Sequence, residues 1–261
     1  MAAAPGAVLF LYGSQTGAAW YARPQQVREG FDATFVFRIS SPSAHCRTMN
    51  DAHTRCRARG GAGMAVVEQA AHPAALGAGS RGMGYEGIRR SVAVEFDTWA
   101  DAEALDPFEN HVSVHSRGVG AGNSANHSFS LGAAPFGRVG DLADGVHVVR
   151  VLYEPTFAPH LAAHPAFAPS ALFADTLASG GYAEGLGGRG ALGLAGFGSL
   201  RVFVDDEAAP ALIVPLELTT LLGLGDTGGR AWVGFTAATG ADVWQAHDVL
   251  AWHFTSLRLP T

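Results

Sequence analysis

Lysine is absent from the 261-residue chain, so every fixed positive charge is an arginine, and the 17 arginines form no long basic run. A protein that tracks a nucleic-acid backbone needs a basic stripe, commonly with interleaved aromatics. With a formal net charge of -6 and no such stripe, the sequence excludes nucleic acid as a partner. Long apolar runs are missing too. None approaches the roughly 18 to 20 residues that span a bilayer, and no charged residue precedes the brief apolar stretch 7–12, so neither a membrane span nor a signal peptide is visible. A GxSxG elbow is also lacking, which removes the usual frame for a serine nucleophile.

Cysteine is scarce: only Cys46 and Cys56 occur, with His45 and His53 beside them. The paired CxxC spacing of a strong zinc site is missing. A loop disulfide, free thiols and a zinc site are three readings that the spacing leaves open.

What the chain has in quantity is glycine and short apolar segments. Its 34 glycines and 13 prolines punctuate an apolar content of 48% without forming one periodic array. That composition favours a turn-rich all-β protein, and 261 residues suit one domain spanning 1–261. Alternating or short continuous apolar runs predict strands at 33–40, 63–69, 91–99, 111–116, 146–154, 200–205, 211–218, 230–237 and 249–257. A Gly- and Ala-rich insert at about 157–199 is expected as a surface excursion, with a weak helical pattern at 165–178. Its closing run GLGGRGALGLAGFG lacks the lysine and the strand-to-helix context of a phosphate loop.

The chemistry concentrates between two of these strands. Glu95, Asp97, Asp101, Glu103, Asp106 and Glu109 crowd one stretch that His111 closes. Carboxylates at this density repel one another unless a cation neutralises them; a solvated acidic loop is the plainer reading. Glu95 and Asp97, at i and i+2 near a strand end, project from one face. Asp106-Pro107 then supplies a turn that brings the chain back toward that face. Carbonyl and carboxylate oxygens suit Ca²⁺, whereas one imidazole among carboxylates suits Mn²⁺ or another first-row ion.

The run VAVEFDTWADAEALDPFENHVSV resembles the metal-binding signature of the legume-type, or L-type, lectins, which share the concanavalin A-like jelly roll, an antiparallel β-sandwich. The family pattern is Glu, any residue, Asp, any residue, an aromatic, any residue, Asn or Asp, then Asp-Pro, then His. GGAGMAVVEQ, LADGVHVVRVLYEP, AWVGFTAATG and DVLAWHF are similar to further ordered motifs of that family, over roughly residues 17–254 apart from the insert. The resemblance implies a non-enzymatic, secreted or extracellular carbohydrate-binding protein with glycans or glycoproteins as partners and a homodimer as its default assembly. It implies that Glu95, Asp97, Asp106 and His111 bind the transition metal. Asp97, the Trp99 carbonyl, Asp101 and Asp106 would bind Ca²⁺. The sugar would meet Ala62, Gly63, Trp99, Asp101, Asp242 and Gln245.

Three departures temper that implication. Family members carry an Asp where this chain has Ala62, and its carboxylate accepts hydrogen bonds from two sugar hydroxyls, which a methyl group cannot do. The family's amide-donating Asn is Asp101, which holds a metal but does not donate when ionised. One or two strands that family members carry before residues 7–12 are also missing. Trp99 has two readings, a ring face for a sugar or core packing.

Two other functions fit parts of the pattern. An interaction module would keep the fold and lose the sugar, which Ala62 favours. Laminarinase-type hydrolases share the jelly roll and begin their ExDxxE or ExDxxxE motif as Glu95 and Asp97 do. Here Ala100 and Asp101 stand where the second glutamate belongs, and the retaining mechanism needs two carboxyl groups about 5 Å apart. Asn126-His127-Ser128 fits an N-glycosylation acceptor in an exported chain.

Overall fold

Strand alternation sorts the sequence into two faces, and two antiparallel sheets result. The computed structural model describes residues 7–9, 13–50, 53–58, 60–170, 194 and 196–257, with the backbone alone at 7–9, 45–50 and 53–57. One sheet has six strands in the order β1 (Ala7–Leu9), β15 (Ala246–Ser256), β4 (Phe31–Ser40), β11 (Val146–Glu154), β12 (Gly198–Val204) and β13 (Leu212–Leu216). The other has seven, ordered β10 (Ser130–Ala133), β9 (His111–His115), β8 (Ser91–Asp97), β7 (Ala62–Gln69), β14 (Arg230–Thr239) and β2 (Thr16–Trp20), with β3 (Gln25–Gln26) also pairing β14.

The core lies between these sheets. In β4 every second residue, from Phe31 through Ala33, Phe35 and Phe37 to Ile39, is buried. The Phe35 ring meets Phe96 at 5.6 Å and Phe235 at 5.0 Å, both edge-on, tying the six-stranded sheet to the seven-stranded one. Fully burying one such ring contributes roughly 2 to 3 kcal/mol.

The seven-stranded sheet is covered on its outer face as well. Ala65, Val67 and Ala93 point there and pack with Met83, Tyr85, Ile88 and Ala125 in a second, smaller apolar cluster. This explains why β7 and β8 are buried along their whole length, where a half-exposed strand would alternate. The outer cluster forms the floor on which the polar site is built.

All nine sequence-predicted strands are present, with ends shifted by a few residues; β1, β2, β3, β10 and the ribbon β5 (Ala44–Asn50) with β6 (His53–Ala58) were not foreseen. The 165–178 pattern does not give a helix at its described residues. A 3-10 turn forms earlier, at Pro159–Ala163, and Phe167 and Pro169 make isolated bridges to Ile213 and Gly132; residues 171–178 lie outside the described ones. Nor is the insert a surface excursion throughout, because Phe157, Leu161, Ala166 and Phe197 all join the main core. Proline and backbone pairing outweigh the apolar spacing there. The disulfide, thiol and zinc readings of Cys46 and Cys56 concern side chains outside those described; the backbone register sets the two residues opposite each other in the ribbon. Among the described residues no helix is long and apolar enough to cross a membrane.

Candidate metal and carbohydrate site

The register of β8 on β9 assembles the site. Asp97 stands opposite His111, Glu95 opposite Ser113, and Ala93 opposite His115. Because side chains alternate, Val92, Val94, Phe96, Val112 and Val114 enter the core while Glu95, Asp97, His111, Ser113 and His115 share the outer face. A one-residue slip would exchange the two sets, so the apolar core also holds the polar site in place.

Glu95 is the centre of this group and fully buried. The Tyr85 hydroxyl donates to its Oε2 at 2.7 Å, and the Ser113 hydroxyl donates to its Oε1. Three imidazole Nε2 atoms converge on that same Oε1: His115 at 2.9 Å, His111 at 3.4 Å and His127 at 3.6 Å. Burial alone would raise the Glu95 carboxyl, but these imidazoles together hold it well below the usual carboxylate range. Burial pulls His111 down, yet Glu95, Asp97 and Asp106 outweigh it and lift the imidazole to about 9. Tyr85 rises well above its ordinary value through burial and the adjacent Glu95 charge.

Asp97 behaves oppositely. Burial pushes its carboxyl well above the ordinary value, and the Glu95 and Asp106 charges add to this against the opposing pull of His111. Asp106 is raised for the same first reason. The ligand atoms of Asp97, Asp106 and His111 lie within 4.8 Å of one another, as do those of Glu95, His111 and His127. Buried carboxylates gathered beside imidazoles in this way fit a divalent cation, whose charge reverses the local penalty on ionising them.

The loop between β8 and β9 is a set of tight turns that hold these carboxylates. The Trp99 N–H donates to Asp97 Oδ1 at 2.6 Å and the Asp101 N–H to Asp106 Oδ2 at 2.6 Å. Asp101 Oδ1 accepts the Glu103 N–H at 2.8 Å, so one of its oxygens caps its own turn. Leu105 and Asn110 adopt left-handed backbone at φ 61 and 52, which lets the chain double back. Of the six expected metal residues, Glu95, Asp97, Asp106 and His111 come together as side chains, and Asp101 falls in neither close ligand group.

The expected sugar contacts sit beside this loop to differing degrees. A Cβ on Gly61 would meet Val243 Cγ2 at 3.2 Å and Trp99 Cε3 at 3.5 Å, so both side chains flank Gly61. Ala62 is next to them, and its carbonyl accepts from the Thr98 hydroxyl at 2.9 Å. Gln245 is buried and donates to Thr98 Oγ1 at 2.5 Å, while its Oε1 finds no partner among the described residues. Asp242 is exposed on its loop. Gly63 is enclosed, since a Cβ there would meet Asp97 Cα and Met83 Sδ at 3.0 Å each. His247 is buried beside Gln245, 3.3 Å from its Nε2, and burial lowers it to about 4.

Comparison with solved structures gives peanut lectin with a nine-residue peptide, at TM-score 0.57 and 18% identity over 97% of this chain and 86% of that one. The VIP36 exoplasmic/lumenal domain in its Ca²⁺/Man-bound form matches at TM-score 0.59 and 12% identity over 97% and 79%. A Bauhinia forficata lectin in complex with GalNAc matches at 0.55 and 17% over 95% and 85%. The chain has the L-type lectin fold. No protein-family model matches the sequence, and no curated protein does.

Within this lectin fold, sequence reasoning missed Tyr85, Ser113, His115 and His127. The alternation in HVSVHS carried a signal for two of them, because His111, Ser113 and His115 occupy every second position and must share a face. His127 carried none. It lies 16 residues beyond His111 on a 3-10 turn, His127–Phe129, that Asn126 caps by accepting the Ser128 N–H at 2.9 Å. The Asn126 amide of the glycosylation triplet also donates to the Glu103 carbonyl at 3.1 Å.

Proposed function

We propose that this chain is a metal-dependent carbohydrate-binding protein that takes glycans at a shallow site beside a Ca²⁺ and first-row transition-metal pair. The observation that carries this reading is the meeting of Asp97, Asp106 and His111 at the end of the β8–β9 pair, next to Trp99 and the Gly61-Ala62 wall. Glu95, Asp97, Asp106 and His111 supply the transition-metal set. Asp97, the Trp99 carbonyl, Asp101 through its second oxygen, and Asp106 supply the Ca²⁺ set. Similarity to a lectin in complex with GalNAc and to the Ca²⁺/Man-bound VIP36 domain supports the glycan class.

Trp99 is the residue proposed to meet the apolar face of a sugar, and the Thr98 to Gln245 hydrogen bond braces the wall behind it. Asp242, exposed, adjoins Val243 of that wall. Glycans or glycoproteins are the proposed partners, in an extracellular or lumenal setting; a homodimer through the six-stranded sheet belongs to the same proposal. Hydrolysis is not proposed. Glu95 is buried beneath Tyr85, and its oxygens face Tyr85, Ser113 and three imidazoles, leaving no surface for a glycosidic bond.

A glycan-array experiment on the purified chain, with Ca²⁺ and Mn²⁺ or with a chelator, tests the reading. Metal-dependent binding is expected, and Trp99→Ala is expected to weaken it about tenfold through the lost ring face while metal content stays unchanged. Silence in both arms, with metal content confirmed by elemental analysis, overturns glycan recognition. It would instead support the second reading, an interaction module, which the methyl group of Ala62 favours.

A further inference from the structure

We propose that the transition-metal position of this chain takes His127 as a second imidazole ligand and selects Zn²⁺ over Mn²⁺. The inference rests on the metal reading above and deepens it. Glu95 Oε1, His111 Nε2 and His127 Nε2 form a triangle with edges of 3.4, 3.6 and 3.1 Å. These are separations between ligands of one ion: a single point about 2 Å from all three atoms exists, matching ordinary Zn–N and Zn–O lengths.

The imidazoles are aimed at that point. The only hydrogen-bonding capacity of the Phe108 carbonyl, 2.8 Å from His111 Nδ1, is to accept, so Nδ1 carries a hydrogen and Nε2 is the nitrogen left for a cation, which would replace its proton. The Ser124 carbonyl accepts from His115 Nδ1 at 2.9 Å, which turns His115 Nε2 toward Glu95 Oε1. His115 and Ser113 lie 2.9 Å apart and both contact Glu95 Oε1, so they act as positioning residues for the carboxylate. His127 is itself placed by its N–H donating to the Ala104 carbonyl at 2.8 Å, which joins its turn to the acidic loop.

His111 has one lone pair to give, because its Nδ1 is occupied. If it joins His127 on one ion, that position holds two nitrogen donors beside its carboxylates, while Asp97 and Asp106 still reach Ca²⁺ as shared ligands. Two imidazoles and one carboxylate suit Zn²⁺; carboxylates and carbonyls suit Ca²⁺ and Mn²⁺. A cavity of 380 Å³ lined by Arg81, Glu86, Ser124 and Asn126 opens against the turn that carries His127.

The test strips the full chain with a chelator, refills it with Ca²⁺, and titrates Zn²⁺ and Mn²⁺ separately and in competition, using isothermal calorimetry and elemental analysis. Zn²⁺ is expected to bind at least about a hundredfold more tightly than Mn²⁺, and His127→Gln to weaken Zn²⁺ about tenfold or more and to narrow the preference for Zn²⁺ over Mn²⁺. A visible-absorption change of the Co²⁺-loaded protein on His127→Gln would report the lost nitrogen directly. Equal affinity for Zn²⁺ and Mn²⁺ in the unmodified chain overturns the inference without reference to any variant, as does a Zn²⁺ affinity indifferent to His127→Gln. Those outcomes leave the metal reading standing. Failure of Ca²⁺, Zn²⁺ and Mn²⁺ alike to bind the unmodified chain overturns both.

Discussion

Asp97→Ala is expected to abolish retention of both ions, weakening each by about a hundredfold or more, and to remove metal-dependent glycan binding with them. The carboxylate stands opposite His111 in the β8–β9 register and within ligand distance of Asp106, while its Oδ1 ties down the Trp99 N–H at 2.6 Å. One substitution therefore removes a shared ligand and releases the turn that presents the Trp99 carbonyl. The same experiment has a stability readout. An ion present at about a hundredfold over its Kd stabilises the native state by roughly 3 kcal/mol, which for a domain of this size raises the unfolding temperature by roughly 6 to 12 °C. Chelation should cost the unmodified protein that interval and cost Asp97→Ala nothing. Full metal content in the variant by elemental analysis would sink the shared-ligand assignment.

Glu68→Met is expected to raise the unfolding temperature by roughly 10 °C at pH 9 and by much less at pH 4. Glu68 lies in β7 directly across from Val233 in β14 and Val92 in β8, on the face that points between the sheets. It is fully buried, and neither carboxyl oxygen has a partner among the described residues. Burial raises the group from its ordinary 4.5 to about 8. The folded state thus holds its proton more tightly than the unfolded state does. Stability from the neutral form is fully present below about pH 4.5 and is lost as pH rises through about 8, a difference on the order of 4 kcal/mol. Methionine has a similar length, carries no ionisable group, and removes that dependence. Thermal melts of both proteins at pH 4, 7 and 9 decide the matter: an equal separation at every pH would show that Glu68 does not hold a raised value.

Glu68 also shows where sequence patterns mislead. In AGMAVVEQ it occupies the position that a strand end usually gives to solvent, yet the 70–90 segment roofs the outer face and the second sheet closes the inner one, so β7 has no wet side. Local alternation reads which residues share a face; it does not read how many faces are covered. The same limit appears at Gly63, which as a loop-flanking glycine resembles a ligand contact but is sealed by Met83 and Asp97. Phe167 is a third case: its helical spacing gave way to a bridge with Ile213 that no local pattern encodes.

By itself the sequence determined the all-β class, nine of the fifteen described strands and the acidic loop closed by His111, because each depends on periodicity or on neighbours a few residues away. It also determined that Glu95 and Asp97 face the same way, since alternation is a property of one strand. Only the tertiary structure decided which groups surround Glu95. Tyr85 arrives from the roof over the sheet, His115 from the far end of β9, and His127 from a turn beyond it. Their convergence depends on register and on loop closure across the outer face. These are long-range outcomes of burying the apolar half of each strand, so beyond the every-second-position spacing of His111, Ser113 and His115 no spacing along the chain records them.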